Sequence, residues 1–313
     1  MRFSGKTFAA ALPLIAQATN VVISNDDGWA EINIRQLYNS LVGAGFDAII
    51  SAPAENESGT GSSDATPTTV GCDGCEFSSC PPGSPAYGYN ASMPRFNYVN
   101  SYPVTSMRYG VQNLSETWFG GPPDIAVAGP NVGSDLGATT LISGTVGAAT
   151  EASKEGIPGL AFSGTTGCQT AWNATPQLYE QIYANLSTLT TATLVKSGTP
   201  YLPSNTWLNI NYPRVTSTTC SSVSDFKFVL SRIYPGIPVV DAPDFSTGCA
   251  GYGDFLPDER TVVGTNGCYA SISVGLATTK LDAGAAEQGF VYQKLKGILS
   301  CLPSASGALT VQA

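Results

Sequence analysis

Apolar residues fall in short blocks along this chain, and the blocks are separated by turns rich in Gly, Ser and Asn. Val21-Val22-Ile23 is three β-branched residues in a row, the pattern of a short buried strand. Asn25-Asp26-Asp27-Gly28 stops it, with a glycine able to take the backbone angles of a tight turn. Ile34, Leu37, Tyr38 and Leu41 then recur at helical spacing, Gly43 and Gly45 end that stretch, and Phe46-Asp47-Ala48-Ile49-Ile50 reads as a second strand. Strand, helix and strand in this order make a βαβ unit and predict a parallel sheet. In such sheets ligands bind outside the carboxyl ends of the strands, where Asp26 and Asp27 fall. Taken alone, Asp-Asp-Gly is a helix-initiating turn. As a pair, two neighbouring carboxylates repel each other unless a cation or a proton intervenes.

Downstream, residues 64–123 are rich in Pro, Gly, Ser, Tyr and Asn with three cysteines, which predicts an irregular stapled excursion. Core patterning resumes with a strand at Ile125–Val127, an Ala-rich helix at Thr145–Glu155 and a strand at Ile157–Phe162. A helix is expected around Gln177–Leu189, then strands at Trp207–Ile210 and Phe226–Ile233. Residues 234–260 read as irregular and acidic. Cys268–Val274 alternates like an exposed antiparallel strand, and Asp282–Leu299 carries Val291, Leu295, Ile298 and Leu299 on one helical face. Residues 302–313 read as a loose tail.

The N-terminus changes the picture of where the protein works. Arg2 and Lys6 precede an apolar run from Phe8 to Ile15, and Ala16-Gln17-Ala18 has the form of a cleavage site, so residues 1–18 read as a secretory signal peptide. The run is too short to span a bilayer. Cleavage after Ala18 would leave 295 residues (313 − 18), read as one domain over 19–301. Secretion predicts oxidised cysteines. The eight present (Cys72, Cys75, Cys80, Cys168, Cys220, Cys249, Cys268, Cys301) allow up to four disulfides, whereas zinc is disfavoured because the chain has no histidine. N-glycosylation sequons begin at Asn56, Asn90, Asn113, Asn173 and Asn185. The net charge of −9 excludes a general basic field for polyanionic nucleic acid, while a small phosphate ester could still bind locally.

Four ordered stretches carry more specific information: Val21–Trp29, Ser51–Ser63, Pro123–Gly137 and Ile142–Ala149. Each is a strand end or helix start rich in Gly, Ser and Asn, and Asn209-Ile210-Asn211-Tyr212-Pro213 adds a fifth. In this order they resemble the SurE family of metal-dependent nucleotidases and phosphatases over about residues 20–280. The resemblance implies an α/β fold: a Rossmann-like, mostly parallel sheet flanked by helices, with a disulfide-stapled insertion at 64–123 and a C-terminal antiparallel extension. It implies one divalent ion held by Asp26, Asp27, Ser58 and Asn131. An all-oxygen donor set favours a hard cation, Mg²⁺ or Mn²⁺ first. Ser143-Gly144-Thr145 opens a helix whose free N–H groups and dipole favour an anion, so it is the expected phosphate site. Asp135 stands where the family usually has Asn. Without histidine, proton transfer falls to Asp26, Asp27, water or the leaving group.

The expected activity is hydrolysis of small phosphomonoesters, nucleoside 5′- or 3′-monophosphates among them, by a secreted protein. No membrane or nucleic acid duplex is expected as a partner; a homodimer is the assembly the resemblance allows. The competing reading is an inactive secreted metal- or phosphate-binding protein on the same fold. A serine esterase is excluded, because neither a G-x-S-x-G elbow nor a triad histidine is present.

Overall fold

The computed structural model describes residues 18–250 and 253–303. The signal peptide expected at 1–18 and the tail at 302–313 therefore lie almost wholly outside the described residues.

The first βαβ unit forms as the pattern predicts. Strand β1 (Asn20–Ser24), helix α1 (Ile32–Gly43) and strand β2 (Asp47–Pro53) follow in order, and β1 pairs with β2 in parallel, Val21 opposite Ala48. Ile34, Leu37, Tyr38 and Leu41 are all buried on the sheet. Each such burial contributes about 1.5–3 kcal/mol, which is what holds α1 down. Gly28 takes φ +102°, the left-handed region a side chain would oppose, so the turn after the two aspartates needs a glycine here.

Within 64–123 the chain is more regular than its composition suggests. Strands β3 (Tyr87–Asn90) and β4 (Met93–Val99) form a hairpin, and β4 pairs in parallel with β2. Helices α2 (Pro103–Tyr109) and α3 (Ser115–Phe119) follow. The second half of the expected insertion is therefore part of the sheet and of its helical cover. It was illegible because Asn97 sits among the aromatics of β4: its buried side chain donates to the Ile50 carbonyl of the neighbouring strand at 3.1 Å.

Strand β5 (Ile125–Val132), helix α4 (Gly144–Lys154), strand β6 (Gly159–Gly164), helix α5 (Leu178–Lys196) and strand β7 (Thr206–Tyr212) continue the parallel sheet. Strand β8 (Lys227–Ser231), helix α6 (Glu259–Gly264), strand β9 (Tyr269–Leu276) and helix α7 (Ala285–Leu295) complete the described residues. The sheet runs β3-β4-β2-β1-β5-β6-β7-β9-β8. Strand β9 is antiparallel to β7 and β8 is parallel to β9. It is a mostly parallel α/β sheet with helices on both faces and an antiparallel C-terminal extension, the expected class.

Strand β9 corrects one expectation: it is buried, not exposed. Ala270, Ile272 and Val274 face one apolar layer, while Ser271 and Ser273 lie in a second, buried polar layer, where Ser231 and Ser273 share a hydrogen bond of 2.7 Å. Alternation reports two different faces, and here both are covered.

Three disulfides form: Cys75–Cys80, Cys220–Cys268 and Cys249–Cys301. Cys72 and Cys168 are free and exposed, so the four bridges that the cysteine count allowed become three. Among the described residues no helix is long and apolar enough to cross a membrane.

Candidate active site

Strand order reverses at β1, which has β2 on one side and β5 on the other. This is the switch point where doubly wound sheets bind ligands. Asp26 and Asp27 leave the carboxyl end of β1 there, and Asn131 ends β5 beside them.

Both aspartates are almost fully buried. Asp26 faces the start of α4: its Oδ1 accepts from the Thr145 hydroxyl at 2.5 Å and its Oδ2 from the Gly144 N–H at 3.1 Å. A Cβ at Gly144 would lie 2.7 Å from the Asp26 Cβ, so only glycine permits this approach. Asp27 points the other way. Its Oδ2 accepts from the Val132 N–H at 2.9 Å and its Oδ1 from the Gln169 amide at 2.5 Å. Burial raises the pKa of Asp26, partly opposed by hydrogen bonds from Thr145 and Gly144. Burial first, and the neighbouring Asp26 charge second, push Asp27 well above the usual carboxylate range. Two carboxylates so placed favour the protonated form more than free aspartates do.

Ser58 belongs to a loop docked on the same spot. The Glu57 N–H donates to the Asp26 carbonyl at 2.7 Å, and the Ser58 N–H closes a local turn onto Asn56 Oδ1 at 2.9 Å. Ser58 is exposed, so the fold brings it to the rim, and its hydroxyl is not bonded to the other site residues. Asn131 donates its amide to the Gly133 carbonyl at 2.9 Å and to Asp135 Oδ2 at 3.3 Å.

Ser143 is the N-cap of α4, accepting from the Val146 N–H at 3.0 Å, and its hydroxyl donates to Asp135 Oδ2 at 2.8 Å. Of the three residues expected to hold phosphate, Gly144 and Thr145 thus give donors to Asp26, and Ser143 gives its hydroxyl to Asp135. A helix N-terminus attracts the nearest anion, and here that anion is a side chain. Asp135 also accepts from the Ser163 hydroxyl at 2.9 Å, and burial raises its pKa to about 7. Turned into these donors, it does not face the helix start as a free negative charge.

The chemistry of the donors is that of a hard cation: Asp26, Asp27 and Asn131 offer oxygen, and a nearby positive charge would relieve the Asp26–Asp27 repulsion. Among the described residues no group of three or more Asp, Glu, Cys or His is gathered as a metal cluster.

Several contributors escape a reading of the sequence. Gln169 holds Asp27 from a Gly-Cys-Gln-Thr loop that has no pattern at all. Glu31, wholly buried, caps α1 and feels the charge of Asp27. Asn209 and Asn211 both reach Asp135, the former donating to its carbonyl at 2.8 Å and the latter accepting from its N–H at 2.9 Å. Those two did leave a signal: asparagines two apart in an apolar strand share one face.

An open α/β sheet with paired carboxylates and a helix start meeting at its switch point puts these groups where folds of this class bind their ligands. The family model described as "Survival protein SurE" matches residues 21–232, and the chain belongs to the SurE family. An acid phosphatase of Yarrowia lipolytica is 31% identical over 93% of this chain and 87% of its own length. A 5′-nucleotidase SurE of Lawsonia intracellularis is 31% identical over 63% of this chain and 67% of its own. The SurE protein of Aquifex aeolicus has the same fold, with a TM-score of 0.57 at 20% identity, covering 82% of this chain and 93% of that one.

Proposed function

We infer that this SurE-family chain is a phosphomonoester hydrolase of the acid phosphatase and nucleotidase type, that it depends on a divalent cation, Mg²⁺ or Mn²⁺, and that it acts outside the cytoplasm. The observation that carries the reading is the buried Asp26–Asp27 pair at the switch point, with Asn131 beside it and the start of α4 against it. Similarity to an acid phosphatase over 93% of this chain supports the reaction class, and three disulfides support an oxidising compartment.

Asp26, Asp27 and Asn131 would hold the cation, and Ser58 would complete the set from the rim. When bound, the cation supplies charge neutralisation for the phosphoryl group and acidifies water. The rest falls to the chain. Asp27 is held by Val132 and Gln169 on opposite oxygens, which fixes its carboxylate plane. With no histidine in the chain, this carboxyl or that of Asp26 would take the part in proton exchange that histidine plays elsewhere. Displacing Gly144 N–H and the Thr145 hydroxyl from Asp26, or sharing them, would give a phosphate oxygen its donors.

Phosphate release from p-nitrophenyl phosphate and from nucleoside 5′- and 3′-monophosphates tests the reading. Activity should vanish in chelator and return with Mg²⁺ or Mn²⁺. Full turnover in a metal-free sample would remove the cation from the mechanism; phosphate binding with no turnover on any ester would make the protein an inactive binder.

A further inference from the structure

Glu259 stands outside the residues that the family model matches, in the stretch 234–260. It opens the short helix α6, directly after its N-cap Asp258, and its side chain is wholly buried. A buried carboxylate is costly without donors, and the donors it finds are not those of its own helix. Its Oε1 accepts from the Asn209 amide at 2.8 Å and its Oε2 from the Gly137 N–H at 3.2 Å.

Both partners belong to the support of the candidate site. The same Asn209 nitrogen donates to the Asp135 carbonyl at 2.8 Å, and Asn211 donates to that carbonyl at 3.1 Å. Glu259 therefore holds Gly137 directly and Asp135 through Asn209, which clamps the turn from both sides of Leu136. The Asp135 carboxylate then receives the Ser143 hydroxyl, and Ser143 caps α4. The chain Glu259–Asn209–Asp135–Ser143 is buried at every member. Its far end is anchored independently, because the Glu259 N–H donates to the Arg232 carbonyl at 2.9 Å at the end of β8.

We propose that Glu259 is a positioning residue for the phosphate-binding end of the site, fixing the 135–137 turn and through it the start of α4. The proposal rests on the phosphatase reading above and assigns part of the active-site support to the C-terminal extension.

The isosteric change Glu259→Gln probes it by hydrogen-bond polarity. The Asn209 nitrogen and the Gly137 N–H are both donors, so an amide can satisfy one and opposes the other. If Asn209 rotates to present its oxygen, which now has no partner, its bond to the Asp135 carbonyl is lost. Glu259→Asp keeps the charge, withdraws it by one methylene and cannot overpack.

Both variants and the parent are compared, metal-loaded, for KM and kcat on p-nitrophenyl phosphate, for the inorganic phosphate inhibition constant, and for the rise in melting temperature that phosphate gives. The Mn²⁺ concentration for half-activation is read alongside. In Glu259→Gln, KM and the phosphate constant should rise about tenfold, the effect of one buried hydrogen bond lost from the support, and stabilisation by phosphate should shrink. Half-activation by Mn²⁺ should change less than KM, since Asp27 is held by Val132 and Gln169, outside the chain that runs from Glu259. Folded variants with the parental KM, phosphate constant and phosphate stabilisation overturn the proposal. Failure of both variants to fold overturns it too, because Glu259 then serves the core alone. A parent that releases no phosphate refutes the hydrolase reading instead, and phosphate stabilisation still decides the role of Glu259.

Discussion

Asp27→Asn separates catalysis from stability at this site. Asp27 accepts two hydrogen bonds, from the fixed Val132 N–H and from the movable Gln169 amide. An asparagine can keep the first with its oxygen and turn its NH₂ toward Gln169. Gln169 need only rotate its amide, because its own Oε1 is buried with no partner. The exchange keeps both bonds but moves the Gln169 NH₂ into the buried place its oxygen held, so no hydrogen bond is gained by it. It does remove a carboxylate that burial, Asp26 and Asp135 all make costly to ionise. Metal-free Asp27→Asn should therefore match the parent or exceed it by about 1 kcal/mol at neutral pH, roughly 2–4 °C in melting temperature. Asp26→Asn differs. The Thr145 hydroxyl can rotate to accept, but the charged cap on Gly144 at the start of α4 is lost, a cost of about 0.5–2 kcal/mol. Turnover should fall about 100-fold or more in both, since each removes ligand charge and a candidate proton carrier. The assay is p-nitrophenyl phosphate release over a Mn²⁺ titration, beside melting curves in chelator. Near-parental turnover at saturating Mn²⁺, or an Asp27→Asn protein that melts several degrees below the parent, would refute the reasoning.

Three further outcomes are expected. Burial raises the pKa of Glu31, Asp27 and Glu259 well above the ordinary value and that of Asp135 to about 7. A raised carboxyl favours the folded state below its unfolded pKa, and that contribution is lost as pH rises through the folded value, so the metal-free protein should melt higher near about pH 4.5 than near about pH 8. Lys280, lowered to about 8 by burial, opposes this only at more alkaline pH. Mn²⁺ should narrow the gap by stabilising the protein mainly at the higher pH; melting in chelator that is highest near pH 8 would contradict the assignment. Alkylation of the folded, unreduced protein should modify Cys72 and Cys168 and spare the other six cysteines, as peptide mass spectrometry will show. Removing Cys220–Cys268, which closes a separation of 48 residues, should cost up to about 4 kcal/mol on chain entropy, against about 2 for Cys75–Cys80 with its separation of 5, and denaturant titrations of the two paired serine variants measure the difference.

Local chemistry determined a good part of this protein. The β-branched run of β1, the glycine after Asp26-Asp27 and the apolar stripe of α1 each impose their element whatever lies around them, and together they put two carboxylates at the end of a parallel strand. Ser143 as a helix cap is equally local, for the cap bonds a backbone N–H three residues on. Tertiary structure alone decided what those groups touch. The donors at the start of α4 are directed at Asp26, 118 residues earlier in the chain, and nothing near Gly144 announces that. The polar stripe of β9 reads as a surface until α6 packs over it, because alternation encodes a difference between two faces and not which of them meets water. Gln169 and Glu259 are ordinary polar residues in stretches without periodicity. They gain a role only when folding brings a lone donor or a lone acceptor within hydrogen-bond reach and excludes the water that would otherwise serve either one.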